Sequence, residues 1–319
     1  MKNMGTICYV ILNYNTYNEA ICCADSILTT QKDDGIKIIL VDNGSKNDSA
    51  EQLNAYAEGK EQVSLVVSEE NLGFARGNNL GISYAREHFD PDFIVAANSD
   101  IIFEQADYGE KIREIYERHR FDLLGGDILD ANREKHLNPV ATKRQYTLNY
   151  MRKQVAVSFL KACSFRLIKA LHLKGAVAGH YGIVTEEDGS DRKDGSKNLT
   201  TREVEGKAVA ADDCIKEEME DVLLHGCCLI FSRDFFQTFS GFYEETFLYA
   251  EEEILYYLAR KQHMTVLYSP EIRCVHKEAV TTSSMYRDFC DGKIFYFSNI
   301  TRSYRLFLRL MKEQERKHE

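Results

Sequence analysis

Four short apolar runs, each followed by polar or turn-forming residues, constrain the first third of this chain. Ile7–Leu12, Ile36–Val41, Val63–Val67 and Phe93–Ala97 have strand length, and the second ends in the turn signal Asp42-Asn43-Gly44-Ser45. Between them lie Tyr17–Leu28, Asp48–Ala57 and Ala75–Arg86, which read as helices. A charged surface helix, Asp107–Arg118, then precedes a further strand-like run, Phe121–Leu124. Strands alternating with helices predict an α/β fold with a mostly parallel central sheet flanked by helices. In such sheets ligands bind outside the carboxyl ends of the strands. Asp42 and the triplet Asn98-Ser99-Asp100 both fall at such ends.

The rest of the chain reads differently. Arg144–Leu173 is basic, apolar and helix-compatible, and Thr185–Leu199 is polar and Gly-containing, the pattern of a mobile loop. Val222–Ser232 reads as one buried strand, followed by helix-like Arg233–Phe239 and Glu251–Lys261. Thr265–Tyr268 and Ile272–Val275 are strand-like and flank Pro270. In Ile300–Lys312, Arg302, Arg305, Arg309 and Lys312 share one helical face, and Ile300, Tyr304, Phe307, Leu308 and Met311 the other.

Composition narrows the function. A chain of 319 residues that is 44% hydrophobic is too apolar for disorder. A net charge of -10 argues against nucleic-acid binding. Nothing approaches the roughly 18 uninterrupted apolar residues of a membrane span. The charge is uneven, however: Lys135–Val184 holds nine of the 40 basic residues and none of the 50 acidic ones. The nine cysteines are odd in number and form no C-x-x-C pair, which favours buried reduced thiols in a cytoplasmic protein. Met1–Thr6 leads directly into a strand, so no secretory leader is expected.

Several residues carry candidate chemistry. Asn98 and Asp100 project to the same side of an extended chain, and a carboxylate there can hold a divalent ion that bridges phosphates; Asn-Ser-Asp is also an ordinary turn. Asp42 can accept hydrogen bonds from a nucleobase or ribose, or form an Asx turn. Gly73, Gly77 and Gly81 recur at a spacing of four in a helical stretch, where each costs about 1 kcal/mol against alanine unless close packing or a ligand requires it. Arg76 beside them could pair with a phosphate or lie in solvent. Glu251-Glu252-Glu253 complement a helix N-terminus, or supply a general base if desolvated by the neighbouring aromatics. His276, at a strand end, could bind a metal or phosphate, or be structural.

The order of these elements adds information. Val10–Asn15, Val41–Ser45, Asn71–Gly81 and Asn98–Asp100 are followed by His225–Ile230, Gly241–Glu245, Phe247–Glu252 and Val275-His276. This series resembles family 2 glycosyltransferases of the GT-A fold, most closely bacterial rhamnosyltransferase-like members, over roughly residues 5–130 and 220–285. The resemblance implies a nucleotide-sugar-binding half at 1–134 and an acceptor and catalytic half at 216–285, while residue pattern gives a basic helical insert and loop at 135–215 and a C-terminal amphipathic helix at 286–319. It implies that Asp42 contacts the nucleobase and that Asn13, Asn71, Gly73, Arg76, Asn78 and Asn98 serve donor binding. It further implies that Asp100 and His276 hold Mg2+ or Mn2+, and that Glu252 is the catalytic base, with Glu251 the alternative. The donor would be a nucleotide-diphosphate sugar such as dTDP-rhamnose or a UDP-hexose. The acceptor would be a cell-surface glycan or a lipid-linked glycan, attacked in line with inversion.

The basic insert suggests either peripheral contact with the inner face of the membrane, through 135–184 and 300–312, or packing of its basic face on the acidic body. In the helical arc of the insert Ala156, Phe159, Leu160, Cys163, Leu167, Ala170 and Leu171 cluster, opposite Ser158, Lys161, Lys169 and His172. Two other functions compete with transfer: a nucleotide-sugar-binding partner subunit without turnover, and a nucleotidyltransferase. The latter would want a basic Gly-rich phosphate loop near the N-terminus, where Asn13-Tyr14-Asn15 stands.

Overall fold

A computed structural model describes residues 5–33, 35–171, 215–277 and 288–316. Thr185–Leu199, read above as a loop, lies outside the described residues.

The first half follows the strand–helix alternation. Strands β1 (Ile7–Asn13), β2 (Ile36–Asn43), β3 (Val63–Ser68) and β4 (Phe93–Asn98) alternate with helices α1 (Tyr17–Thr30), α2 (Ser49–Ala57) and α3 (Gly73–Phe89). After a short β5 (Ile101–Ile102) come α4 (Tyr108–His119), β6 (Leu123–Leu129) and β7 (Ala141–Thr142). The strands run in the order β3-β2-β1-β4, all parallel. Strand order reverses between β1 and β4, the place where α/β sheets open a crevice for ligands.

Burial on both faces explains why β1, β2 and β4 are nearly continuous apolar runs, whereas edge strand β3 buries only Val63. Ile7, Tyr9 and Ile11 join one core beneath the sheet, while Cys8 and Val10 join a second core on the opposite face. The spaced glycines of α3 serve the second face. A Cβ on Gly81 would stand 2.4 Å from Val10 Cγ1 and 2.6 Å from Val41 Cγ2, and one on Gly77 2.7 Å from Leu12 Cδ1. Close packing, not helix propensity, selects glycine there.

The second half completes the same sheet. Strands β8 (Met219–Glu220), β9 (Val222–Leu223), β10 (Cys228–Ser232) and β11 (Val266–His276) surround helix α6 (Glu251–Lys261). Antiparallel β10 lies between β4 and β6, and β11 lies parallel to β6. Three expectations are corrected here. Val222–Ser232 is two strands, because His225-Gly226 leaves the ladder and β9 pairs with β7 in a separate two-stranded sheet. Arg233–Phe239 forms only a 3-10 turn at Phe235–Gln237, where Phe231, Phe235, Phe236 and Phe242 pack ring on ring. Thr265–Tyr268 and Ile272–Val275 are one strand, whose register shifts between Ser269 and Arg273 to pass Pro270.

Helix α5 (Leu148–Ala170) and the C-terminal helix α7 (Phe289–Arg316) pack together over α6. Thr147 caps α5, its hydroxyl accepting from the Tyr150 amide. Met151 meets Phe307 and Met311, while Ala162 and Phe165 meet Phe297 and Ile300. The apolar face of α7 is therefore used internally, and 300–312 offers an outside surface only its cations. Of the side of α5 read as basic, Ser158 is buried, Lys161 lies over the Phe297 ring and Lys169 pairs with Asp291, so that side packs toward α7, while Phe159, Leu160, Leu167 and Leu171 of the apolar arc are exposed; His172 lies outside the described residues.

Gly81→Ala separates packing from propensity. Alanine gains about 1 kcal/mol in an open helix, but overpacking against two β-branched core residues costs about 1–3 kcal/mol or more. Urea denaturation is expected to show net destabilisation.

Candidate functional site

The strand ends at the β1/β4 crevice, the start of α6, and the α5–α7 pair enclose a cavity of about 590 Å³. Seven predicted residues line it: Asn71, Gly73, Asn98, Asp100, Glu251, Glu252 and His276.

Two asparagine-centred networks set its floor. Asn43, at the end of β2, donates from Nδ2 to Asn71 Oδ1 at 3.2 Å and to the Gly73 carbonyl at 3.0 Å, and accepts from the Leu72 amide. Gly73 has φ +82°, a conformation that favours glycine, and its absent Cβ leaves room for the Phe247 carbonyl, which accepts from the Phe74 amide at 2.7 Å. Asn79 brackets the backbone of Phe242, donating to its carbonyl and accepting from its amide, both at 2.8 Å. Asn43 and Asn79 stand inside the segments Val41–Ser45 and Asn71–Gly81, where pattern gives them no role; the structure shows that both hold backbone of the segments around the cavity.

Four predicted residues do not reach the cavity wall. Asn13 and Asp42 are buried behind it, joined by a 2.8 Å hydrogen bond from Asn13 Nδ2 to Asp42 Oδ1, which also accepts from Ser45 Oγ. Alternation along β2 turns Asn43, not Asp42, toward α3. Asn78 is buried and donates to the Phe74 carbonyl of its own helix. Arg76 is exposed on α3, on the side away from Gly77 and Gly81, which pack on the sheet.

Asp100 and His276 come together from β4's end and β11's end, with Nε2 3.2 Å from Oδ2. His276 Nδ1 is buried without a partner, and His225, unpredicted, sets its ring edge-on at 5.9 Å. Among the described residues no three His, Cys, Asp or Glu side chains group as a metal centre. Two protein donors suit a divalent ion that takes its remaining ligands from phosphate oxygens and water.

The acidic side of the cavity is strained into place. Tyr249 and Ala250 have φ of +71° and +68°, so two non-glycine residues occupy the left-handed region directly before α6. Such backbone persists where the surroundings over-determine it, commonly at functional sites. It delivers Glu251–Glu253 into the cavity together. Glu251 is buried; desolvation, then the charge of Glu252, pushes its carboxyl up to about 8. Desolvation, then Glu252, raises Glu253 to about 7, opposed by Arg144. Desolvation also raises half-buried Glu252. Gly226 makes room for it: a Cβ there would stand 3.3 Å from Glu252 Oε2. Aromatic rings of Tyr249 and Tyr296, 4.7 Å apart, continue the wall.

The comparisons agree with this architecture. The model of the family described as "Glycosyl transferase family 2" matches residues 8–173, just over half of the chain. The chain belongs to that family. It is 35% identical over 119 residues to glycosyltransferase GlyG of Streptococcus pneumoniae serotype 4, covering 37% of this chain and 38% of that protein. It is 27% identical over 126 residues to glycosyltransferase GlyA of the same organism, covering 40% of this chain and 17% of that protein. The matches thus span well under half the length of these curated relatives. A crystal structure of GalNAc-T7 with UDP, GalNAc and Mn2+ superposes with a TM-score of 0.55 at 12% identity, over 88% of this chain and 45% of that one. The fold is therefore that of GT-A glycosyltransferases, as the resemblance implied, with the mostly parallel, helix-flanked sheet that the alternation of strands and helices predicted.

The raised carboxyls fix a sign for pH dependence. The folded chain keeps protons that the unfolded chain gives up above the ordinary value of 4.5. Stability should therefore fall as pH rises from there to about 8. Glu251→Gln is expected to flatten that decline in urea midpoints; an unchanged slope would show that Glu251 does not titrate there.

Proposed function

We propose that this protein is an inverting glycosyltransferase that moves a sugar from a nucleotide-diphosphate donor to a hydroxyl of a glycan or lipid-linked acceptor. The observation that carries this reading is one cavity holding the Asp100–His276 pair at the strand ends and the Glu252 carboxylate at the start of α6. Family membership and the names of GlyG and GlyA support sugar transfer. The donor is a UDP-hexose or dTDP-rhamnose.

Asn71, Gly73 and Asn98 shape the donor side, held from behind by Asn43 and by the Asn13–Asp42 pair. Asp100 and His276 would hold Mg2+ or Mn2+, from their approach at the strand ends; the Mn2+ named with the GT-A neighbour supports use of a divalent ion, not these ligands in particular. When bound, the ion neutralises charge developing on the diphosphate leaving group.

Glu252 acts as general base. It lines the cavity next to Gly226, and desolvation raises its proton affinity toward the working range of a base. Glu251 is the poorer choice: with its carboxyl near 8 it is largely protonated at neutral pH. The proton passes from the acceptor hydroxyl to a Glu252 oxygen as the hydroxyl oxygen attacks the anomeric carbon. The bond to the diphosphate breaks on the opposite face, giving inversion without a covalent intermediate. Among the described residues six of eight cysteines are buried and none forms a disulfide, which supports a reducing, cytoplasmic setting.

Glu252→Gln should reduce transfer by at least about 100-fold, the lower range for removing an acid–base group, while nucleotide binding survives. Retained turnover would reject the assignment. For Asp100→Ala, calorimetric titration with UDP should lose its dependence on added Mn2+; an unchanged metal effect would remove Asp100 from the role.

A further inference from the structure

We propose that the outer stripe of α5 docks on an anionic lipid bilayer. Among the described residues seven large hydrophobic side chains are exposed, and five of them lie within Val157–Leu171. A sixth, Phe289, stands edge-on to Phe165 of the same helix, ring centres 6.0 Å apart. Leu160, Leu167 and Leu171 are 63%, 59% and 56% exposed. Their spacing puts them on one stripe, opposite the face through which Met151, Ser158, Ala162 and Phe165 pack inward. A surface helix normally carries one apolar stripe. This helix carries two, and internal packing accounts for only one.

Charge identifies the occupant. Helix α5 contains no acidic residue. Arg152, Lys153, Lys161 and Arg166 are exposed along it, and neighbouring α7 adds exposed Arg302 and Arg305. Lys169 is excluded, being paired with Asp291. Apolar side chains between cations of one sign are the pattern of a helix lying in the interface of an anionic membrane. The same pattern disfavours a second copy. A two-fold contact sets a surface against itself, and here that would bring the cations together. Among the described residues no helix is long and apolar enough to cross a membrane, so the contact would be peripheral.

The stripe also adjoins the cavity. Val157, Ser158 and Lys161 of α5 line its wall. A bilayer against the outer stripe would therefore lie at the cavity rim, where a lipid-linked acceptor could enter; this last step rests on the proposed function, whereas docking does not.

The test is co-sedimentation of the full chain with phosphatidylcholine vesicles, with and without phosphatidylglycerol, at low and high salt. Pelleting is expected with the anionic vesicles at low salt and loss at high salt. Leu160→Asp/Leu167→Asp should lower the partition coefficient at least about tenfold, since polar groups replace buried methylenes. Arg152→Glu/Lys153→Glu should remove the preference for phosphatidylglycerol. Thermal melts establish that both variants fold, which the exposure of all four positions favours. Absence of the wild-type chain from the pellet overturns the proposal. So does pelleting of the leucine variant like wild type, or a wild-type dimer that this variant dissociates. UDP-sugar hydrolysis measured in the same samples keeps the two readings apart: docking without hydrolysis counts against the transferase alone, and hydrolysis without docking against the membrane surface alone.

Discussion

The hydrogen bond from the Phe74 amide to the Phe247 carbonyl is the joint on which the site depends. It ties the first turn of α3 to the segment that leads into α6. On one side stand the strand-end residues, on the other the three glutamates. Gly73 permits the approach, because any side chain at φ +82° would meet the Phe247 backbone. Asn79 reinforces the joint one turn later by holding both polar groups of the Phe242 backbone. Two stretches of chain far apart in sequence thereby form a single wall, and the left-handed pair Tyr249-Ala250 is trapped between them.

The acids at the start of α6 illustrate how a local signal acquires chemistry. Three glutamates there would complement the helix dipole. Burial changes their meaning, because desolvation acts on all three while Glu252's charge further raises its neighbours. A cluster that cannot be fully ionised holds its members at different proton affinities. Burial together with Glu252's charge thus raises the proton affinity of Glu251 and Glu253, while burial alone raises that of Glu252.

Much of the fold was legible because two-sided burial writes itself as uninterrupted apolar runs. β1 through β4 and α6 are found where their patterns fall. The errors share a cause: periodicity sees a segment but not its neighbours. Val222–Ser232 looks continuous, yet His225-Gly226 leaves the ladder to line the cavity. Arg233–Phe239 has helical spacing, yet its rings are claimed by a phenylalanine cluster. Asn71, Gly73, Asn98, Asp100, Glu251, Glu252 and His276 line one cavity. Arg76 and Asn78 miss because spacing along α3 does not say which face meets the sheet. Likewise, the apolar arc of α5 was visible in sequence, but not that it would be the side turned away from the body.

The position of β10 bears on how the chain assembles. It is the inner rung between β4 and β6, though it follows β6 by about a hundred residues. During synthesis, residues up to about 130 can form helices and the parallel four-strand unit, but β4 and β6 retain open edges until Cys228–Ser232 arrives. Open strand edges are templates for wrong pairing. The basic, acid-free stretch made in that interval carries nine like charges, and it emerges while those edges are still bare.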